Sequence, residues 1–144
     1  MLAWSACPAT GFEGKVTEVQ DGNTLSIASV GGTLRVRLAE IDAPDLRQPH
    51  GVAARQALSE LCLDRPAMVE FAAAPAGGRV TGWVKCDGTE AGSSQVERGM
   101  AWVRKHSVQS TSPLYFLEDQ AQRQKLGLWA DPMPVPPWQW RRRK

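Results

Sequence analysis

Two alternating runs joined by a glycine pair constrain this chain more than anything else in it. Leu25 and Ile27 alternate with Thr24, Ser26 and Ala28, and Leu34, Val36 and Leu38 alternate with Arg35 and Arg37. A period of two places each apolar set on one face of a strand. Arg35 and Arg37 therefore face away from the core. With Gly31-Gly32 between them the two runs form a hairpin. The hairpin carries the turn Asp21-Gly22-Asn23-Thr24 toward the end of the second strand, where Ile41-Asp42-Ala43-Pro44-Asp45 follows. Oxygen-bearing side chains from two segments thus converge beside an arginine, a donor set that suits a hard cation working on a phosphodiester.

The remaining elements are read around this hairpin. Gly14 to Gln20, with Val16 and Val19 in imperfect alternation, predicts a first strand that is bent or bulged. Ala53, Ala54, Ala57, Leu58, Leu61 and Cys62 recur at three- and four-residue spacing, which predicts a one-faced helix from Gly51 to Leu63. Ala67 to Ala73 and Arg79 to Lys85 read as two further strands, with Gly77-Gly78 turning between them. Ser93 or Ser94 is the expected cap of a short helix closed by Gly99. A last helix takes Ser112 as N-cap, Pro113 as its first residue and Gly127 just past its end. Beyond it, Pro132, Pro134, Pro136 and Pro137 predict an extended strap without helix, anchored by Trp138 and Trp140. Five strands with a helix after the third give an α+β fold built on a five-stranded OB-fold barrel with about three helices. Residues 1–11 are expected to be a flexible terminus or signal remnant, 12–130 the domain and 131–144 a Pro/Trp-rich basic tail.

At 144 residues the chain has the length of one domain. A net charge of +2 argues for no partner by itself, but its distribution does. Arg141, Arg142, Arg143 and Lys144 cluster at the end, a run of the kind that is usually a solvated tail; against that reading Arg141, Arg142 and Arg143, with Lys105 in a second basic stretch, are the candidate nucleic-acid contacts. No apolar stretch approaches a membrane span. The apolar, small-residue opening MLAWSACPA is like the end of a signal peptide, but it lacks the positive start and the full apolar stretch and reads at best as a remnant. Cys7, Cys62 and Cys86 are odd in number and lack CxxC spacing, and with His50 and His106 off ligand spacing a zinc site is not expected. Cys62 falls on the apolar stripe of the first helix and reads as a buried thiol, which leaves Cys7 with Cys86 as the disulfide to consider.

The ordered set Asp21-Gly22-Asn23-Thr24, Val36-Arg37-Leu38, Ile41-Asp42-Ala43-Pro44-Asp45, Gly77-Gly78-Arg79, Gly99-Met100-Ala101-Trp102 and Gly127-Leu128-Trp129 resembles the staphylococcal nuclease family. That resemblance implies calcium-dependent hydrolysis of DNA or RNA and, because family members are often exported, tilts the expected location toward secreted or periplasmic; a monomer is expected. It implies calcium ligands at Asp42, Asn23 and the Ala43 carbonyl, with Asp21 in support. Asp45 would orient or activate the water, and Arg37 and Arg79 would clamp the phosphate.

Several positions depart from the family pattern. Asn23 stands where the family keeps an aspartate, so the site has one charge fewer. Asp45 replaces a glutamate and reaches about 1 Å less far, a misplacement that costs roughly a hundredfold in rate. The tyrosines expected after the Gly99–Trp102 stretch are replaced by Arg104, Lys105, His106 and Ser107, which favours phosphate but gives up base stacking. Two functions of different class follow: a weakened or retuned nuclease, and a non-catalytic nucleic-acid or protein-binding module on the same fold. Retention of Asp42 with both arginines favours the enzyme.

Overall fold

A computed structural model describes residues 11–143; residues 1–10 and 144, which include Cys7 and Lys144, lie outside the described part. Its elements in order are β1 (Gly11–Asp21), β2 (Thr24–Ser29), β3 (Gly32–Leu38), β4 (Ile41–Asp42), α1 (Gly51–Cys62), β5 (Pro66–Phe71), β6 (Arg79–Cys86) and β7 (Thr89–Glu90). There follow α2 (Ala91–Glu97), β8 (Trp102–Val103), α3 (Pro113–Arg123), a 3-10 turn (Gly127–Ala130) and α4 (Pro137–Arg142).

The barrel is a consequence of one bent strand and one parallel closure. The first half of β1 pairs with β5 (Gly11 opposite Glu70, Lys15 opposite Pro66), and the second half pairs with β2 (Lys15 opposite Ala28, Asp21 opposite Thr24). The register shifts between Val16 and Glu18 and between Val19 and Asp21, which are the expected bulges, and they let one strand serve both neighbours. Sheet order is β3-β2-β1-β5-β6-β7, and β3 returns to pair with β6 in parallel, closing five strands into an OB-fold barrel.

Inside it Val16, Leu25, Ile27, Val36, Leu38 and Val84 are fully buried, joined by Leu58 from α1. Each such side chain contributes about 1.5–3 kcal/mol of burial. Parity holds as expected: Leu34, Val36 and Leu38 point inward and Thr33, Arg35 and Arg37 outward.

Four details differ from the sequence expectation. First, α2 is capped by Glu90, whose Oε2 accepts from the Ser93 backbone N–H at 2.6 Å, and not by Ser93 or Ser94. Burial raises the Glu90 carboxyl pKa against the lowering effect of these backbone bonds. Second, α3 begins as expected at Ser112 and Pro113 but stops at Arg123, and Gly127 opens the 3-10 turn instead of following the helix.

Third, the prolines do not exclude a helix: α4 forms with Pro136 as N-cap and Pro137 at the first position. Neither place needs a backbone N–H, so the ring is tolerated there. Among the described residues the α-helices therefore number four.

Fourth, Cys62 is bonded to Cys86, with Cα atoms 5.2 Å apart. This overturns both the free Cys62 thiol and the Cys7–Cys86 pair. The end of α1 and the end of β6 meet in the core, and both residues are fully buried. Among the described residues no helix is long and apolar enough to cross a membrane.

Candidate active site

The Asp21–Asn23 turn is held from three sides. Gly22 packs so tightly that a Cβ would stand 2.6 Å from the Ala54 Cβ and 2.7 Å from that of Ala43. Gln95, fully buried on α2, donates from Nε2 to the carbonyls of Gly22 (2.8 Å) and Ala54 (2.9 Å). Asp21 Oδ1 accepts from the Asn23 N–H at 2.9 Å, and the Asn23 carbonyl accepts from the Leu38 N–H at 2.8 Å. The turn is thereby fixed against Ala43, and β4 pairs Asp42 opposite Trp102 of β8. That second strand pair is itself held by Glu118, whose Oε2 accepts from the Val103 N–H at 2.8 Å. Desolvation raises the Glu118 carboxyl pKa, opposed by that hydrogen bond and by Lys105. Asp45 is set by Gln48, which donates its N–H to the Asp45 carbonyl (2.9 Å) and accepts from the Asp45 N–H at Oε1 (3.3 Å). Gly51 lies so close to the Asp45 carbonyl that no Cβ fits there.

Asp42 is the electrostatic centre. Its side chain is only 4% exposed, and two guanidiniums reach it: Arg37 Nη2 to Oδ1 at 3.3 Å and Arg141 Nη2 to Oδ2 at 2.6 Å. The other arm of Arg141 donates to Asp45 Oδ1 at 3.0 Å. A buried carboxylate needs such compensation, because an unpaired charge there is costly. Burial lowers the Arg141 pKa, but Asp42 and Asp45 outweigh it and hold the guanidinium above its ordinary value.

Two clefts flank this centre. One, of about 510 Å³, is lined by Arg35, Arg37 and Arg79, because the parallel β3–β6 register sets Arg35 opposite Arg79 and Arg37 opposite Thr81. The other, of about 390 Å³, is lined by Asp42, Arg104, Lys105, His106, Trp138, Arg141 and Arg142. Arg37 lines the first cleft and Asp42 the second, so the two adjoin across the Arg37–Asp42 ion pair.

Of the residues singled out from sequence, Arg37, Asp42, Asp45 and Arg141 are in direct contact. Arg79, Lys105 and Arg142 line the flanking clefts. Asn23 and Ala43 are buried beside them, whereas Asp21 uses one oxygen to cap its own turn. Arg143 is exposed past the end of α4. Arg35, Gln95, Gln48 and Glu118 were not singled out for this site. Only Arg35 carried a signal, the parity it shares with Arg37.

The donors suit a hard cation. Among the described residues no three of His, Cys, Asp and Glu gather as metal ligands, so the available charge is that of Asp42 and Asp45, both within reach of one guanidinium. Asn23 adds a buried amide whose Nδ2 has no partner among the described residues. A half-turn of that amide presents Oδ1 instead. Two carboxylates with neutral oxygens make an oxygen-only set of low charge.

The staphylococcal nuclease homologue family matches residues 35–131, a span that includes Arg37, Asp42, Asp45 and Arg79. A micrococcal nuclease of Shigella flexneri is 36% identical over 141 residues, covering 91% of this chain and 81% of that protein. The chain belongs to the staphylococcal nuclease family. An uncharacterized endonuclease of Escherichia coli is likewise 36% identical, over 92% of this chain and 87% of its own length. A probable staphylococcal-like nuclease of rice is 35% identical over 76% of this chain but only 33% of that protein. Membership of a nuclease family implies a nucleic-acid substrate.

Proposed function

We propose that the protein hydrolyses phosphodiester bonds of DNA or RNA with the help of a bound calcium ion, and does so more weakly than a site with two aspartates would. The observation that carries this reading is Asp42: buried, contacted by Arg37, and set at the junction of two basic clefts. Arg37 spends only Nη2 on Asp42 and its side chain is 41% exposed, so donors remain for a phosphate oxygen. Arg79, exposed on the cleft rim opposite Arg35, takes the other side of the same group. Together they neutralise charge that builds on the phosphate. Asp45, about a third exposed, accepts a proton from the attacking water or aims it. Bound calcium, held by Asp42, the Asn23 amide and the Ala43 carbonyl with Asp21 behind them, would draw further charge from the phosphate. The Cys62–Cys86 disulfide supports an oxidising, extracytoplasmic location.

The test is cleavage of plasmid DNA and of RNA in calcium against chelator, with Arg37→Ala and Arg79→Ala alongside. Calcium-dependent cleavage that falls by roughly a hundredfold or more in each variant, at unchanged stability, is expected. Wild-type turnover in either variant at saturating substrate would remove that arginine from the mechanism. Tight nucleic-acid binding without cleavage in any metal would make the chain a binding module.

A further inference from the structure

The tail does something the hydrolytic reading does not use. Instead of trailing as a strap, it folds back and seats one cation on the site's own carboxylates. We propose that α4 is a displaceable plug: Arg141 competes with the metal ion for Asp42 while also occupying Asp45, so that ion binding and release of α4 are a single equilibrium. This rests on the metal-dependent reading of the same site.

Three observations carry it. The first is the allocation of oxygens. Arg141 takes Oδ2 of Asp42 and Oδ1 of Asp45, while Arg37 takes the other oxygen of Asp42. Asp42 is 4% exposed, so a cation cannot take up its Oδ2 while Arg141 holds it.

The second is charge. Two carboxylates against two guanidiniums leave the cluster without net charge. Exchange of one guanidinium for a doubly charged ion leaves one positive charge in excess, which matches the single negative charge of a phosphodiester. Release of α4 carries Arg141 away and leaves Arg104 and Lys105 facing the opened cleft, where a polyanion is drawn in.

The third is the lightness of the attachment. The helix has six residues, of which only Pro137 is buried. A helix this short has no stability of its own. Besides Arg141, the segment is tied by the Gln48 amide donating to the Val135 carbonyl, by His50 facing Asp131 at 3.4 Å, and by Trp138 lying edge-on to Trp102 at 5.7 Å. These hold the plug in register without making it part of the core.

The test is a calcium titration of the full chain, wild type and Arg141→Ala, by calorimetry and by tryptophan emission, with Trp138→Phe to assign the signal. Chymotryptic cutting at Trp138 and Trp140 is followed in parallel. A plug shut about nine-tenths of the time lowers apparent affinity about tenfold. Arg141→Ala is therefore expected to bind calcium about tenfold more tightly. In the wild type, calcium is expected to shift Trp138 emission and to speed cutting at the same half-saturating concentration. Binding to Arg141→Ala alone would support the plug most strongly. Equal affinity in both proteins, with emission and cutting unchanged, overturns the plug and leaves the metal site standing. Absence of calcium binding in both proteins overturns the metal site, and the plug with it.

Discussion

Removing the Cys62–Cys86 disulfide tests how far the barrel depends on a crosslink. The bond joins residues 24 positions apart and closes a loop that contains all of β5 and the turn into β6. In the chain-entropy treatment a loop of this length restricts the unfolded state by about 3.5 kcal/mol. Both cysteines are fully buried, so a pair of alanines adds a small cavity cost of about 1 kcal/mol or less for each lost sulfur. For a chain of 144 residues, 3.5 kcal/mol corresponds to a fall in Tm of roughly 12 °C. The assay is thermal and urea unfolding of the wild type, the Cys62→Ala/Cys86→Ala double variant, and Cys7→Ser. The double variant is expected to lose that stability, and Cys7→Ser to match the wild type. A loss below about 1 kcal/mol in the double variant, or a matching loss in Cys7→Ser, would refute the pairing.

Three further outcomes are expected. Gln95→Met keeps the volume but leaves the Gly22 carbonyl without its donor, and should cost about 2 kcal/mol in urea unfolding together with a weaker response to calcium. An unchanged calcium response would mean that the turn holds its shape without Gln95. Asn23→Asp restores a second charge, so it should bind calcium more tightly and cleave faster while losing stability without metal; calorimetry and plasmid cleavage check both halves. Equal affinity and rate would leave position 23 a turn residue. Glu118→Gln addresses pH. The Glu118 carboxyl is raised by desolvation, so the folded state holds its proton longer than the unfolded chain does. Stability should therefore fall as pH rises from the ordinary carboxylate value through the raised one. The glutamine, which still accepts from Val103, should flatten that slope, and identical pH–stability curves would exclude the effect.

How much of this was visible in the sequence depended on whether the signal was local. Alternation in 24–38 identified the hairpin and turned Arg35 and Arg37 outward, because parity is a property of one strand. Ser112 and Pro113 marked the start of α3, because capping concerns adjacent residues. What escaped was set by contact between distant segments. Cys62 sat on an apolar stripe and looked like any core residue; only the meeting of α1 with the end of β6 makes it a disulfide partner. Arg35 gains its place from the parallel β3–β6 register, which no hairpin rule anticipates. Gln95 and Glu118 are polar residues whose value lies in backbone groups 73 and 15 positions away. The prolines of the tail were read by composition, whereas their positions at the N-cap and first turn decided the outcome. With α4 formed, Arg141 is carried onto Asp42, and a residue expected on nucleic acid becomes part of the site.

The most direct measurement is on Asp42 itself. Asp42→Asn keeps size and hydrogen-bonding capacity while removing the buried charge on which Arg37 and Arg141 converge. Calcium binding by calorimetry and single-turnover cleavage of DNA are measured on the same folded preparation, with circular dichroism as the control for fold. Loss of both binding and cleavage at native-like dichroism is the expected result. Cleavage at the wild-type rate by Asp42→Asn would contradict an active site built around this carboxylate.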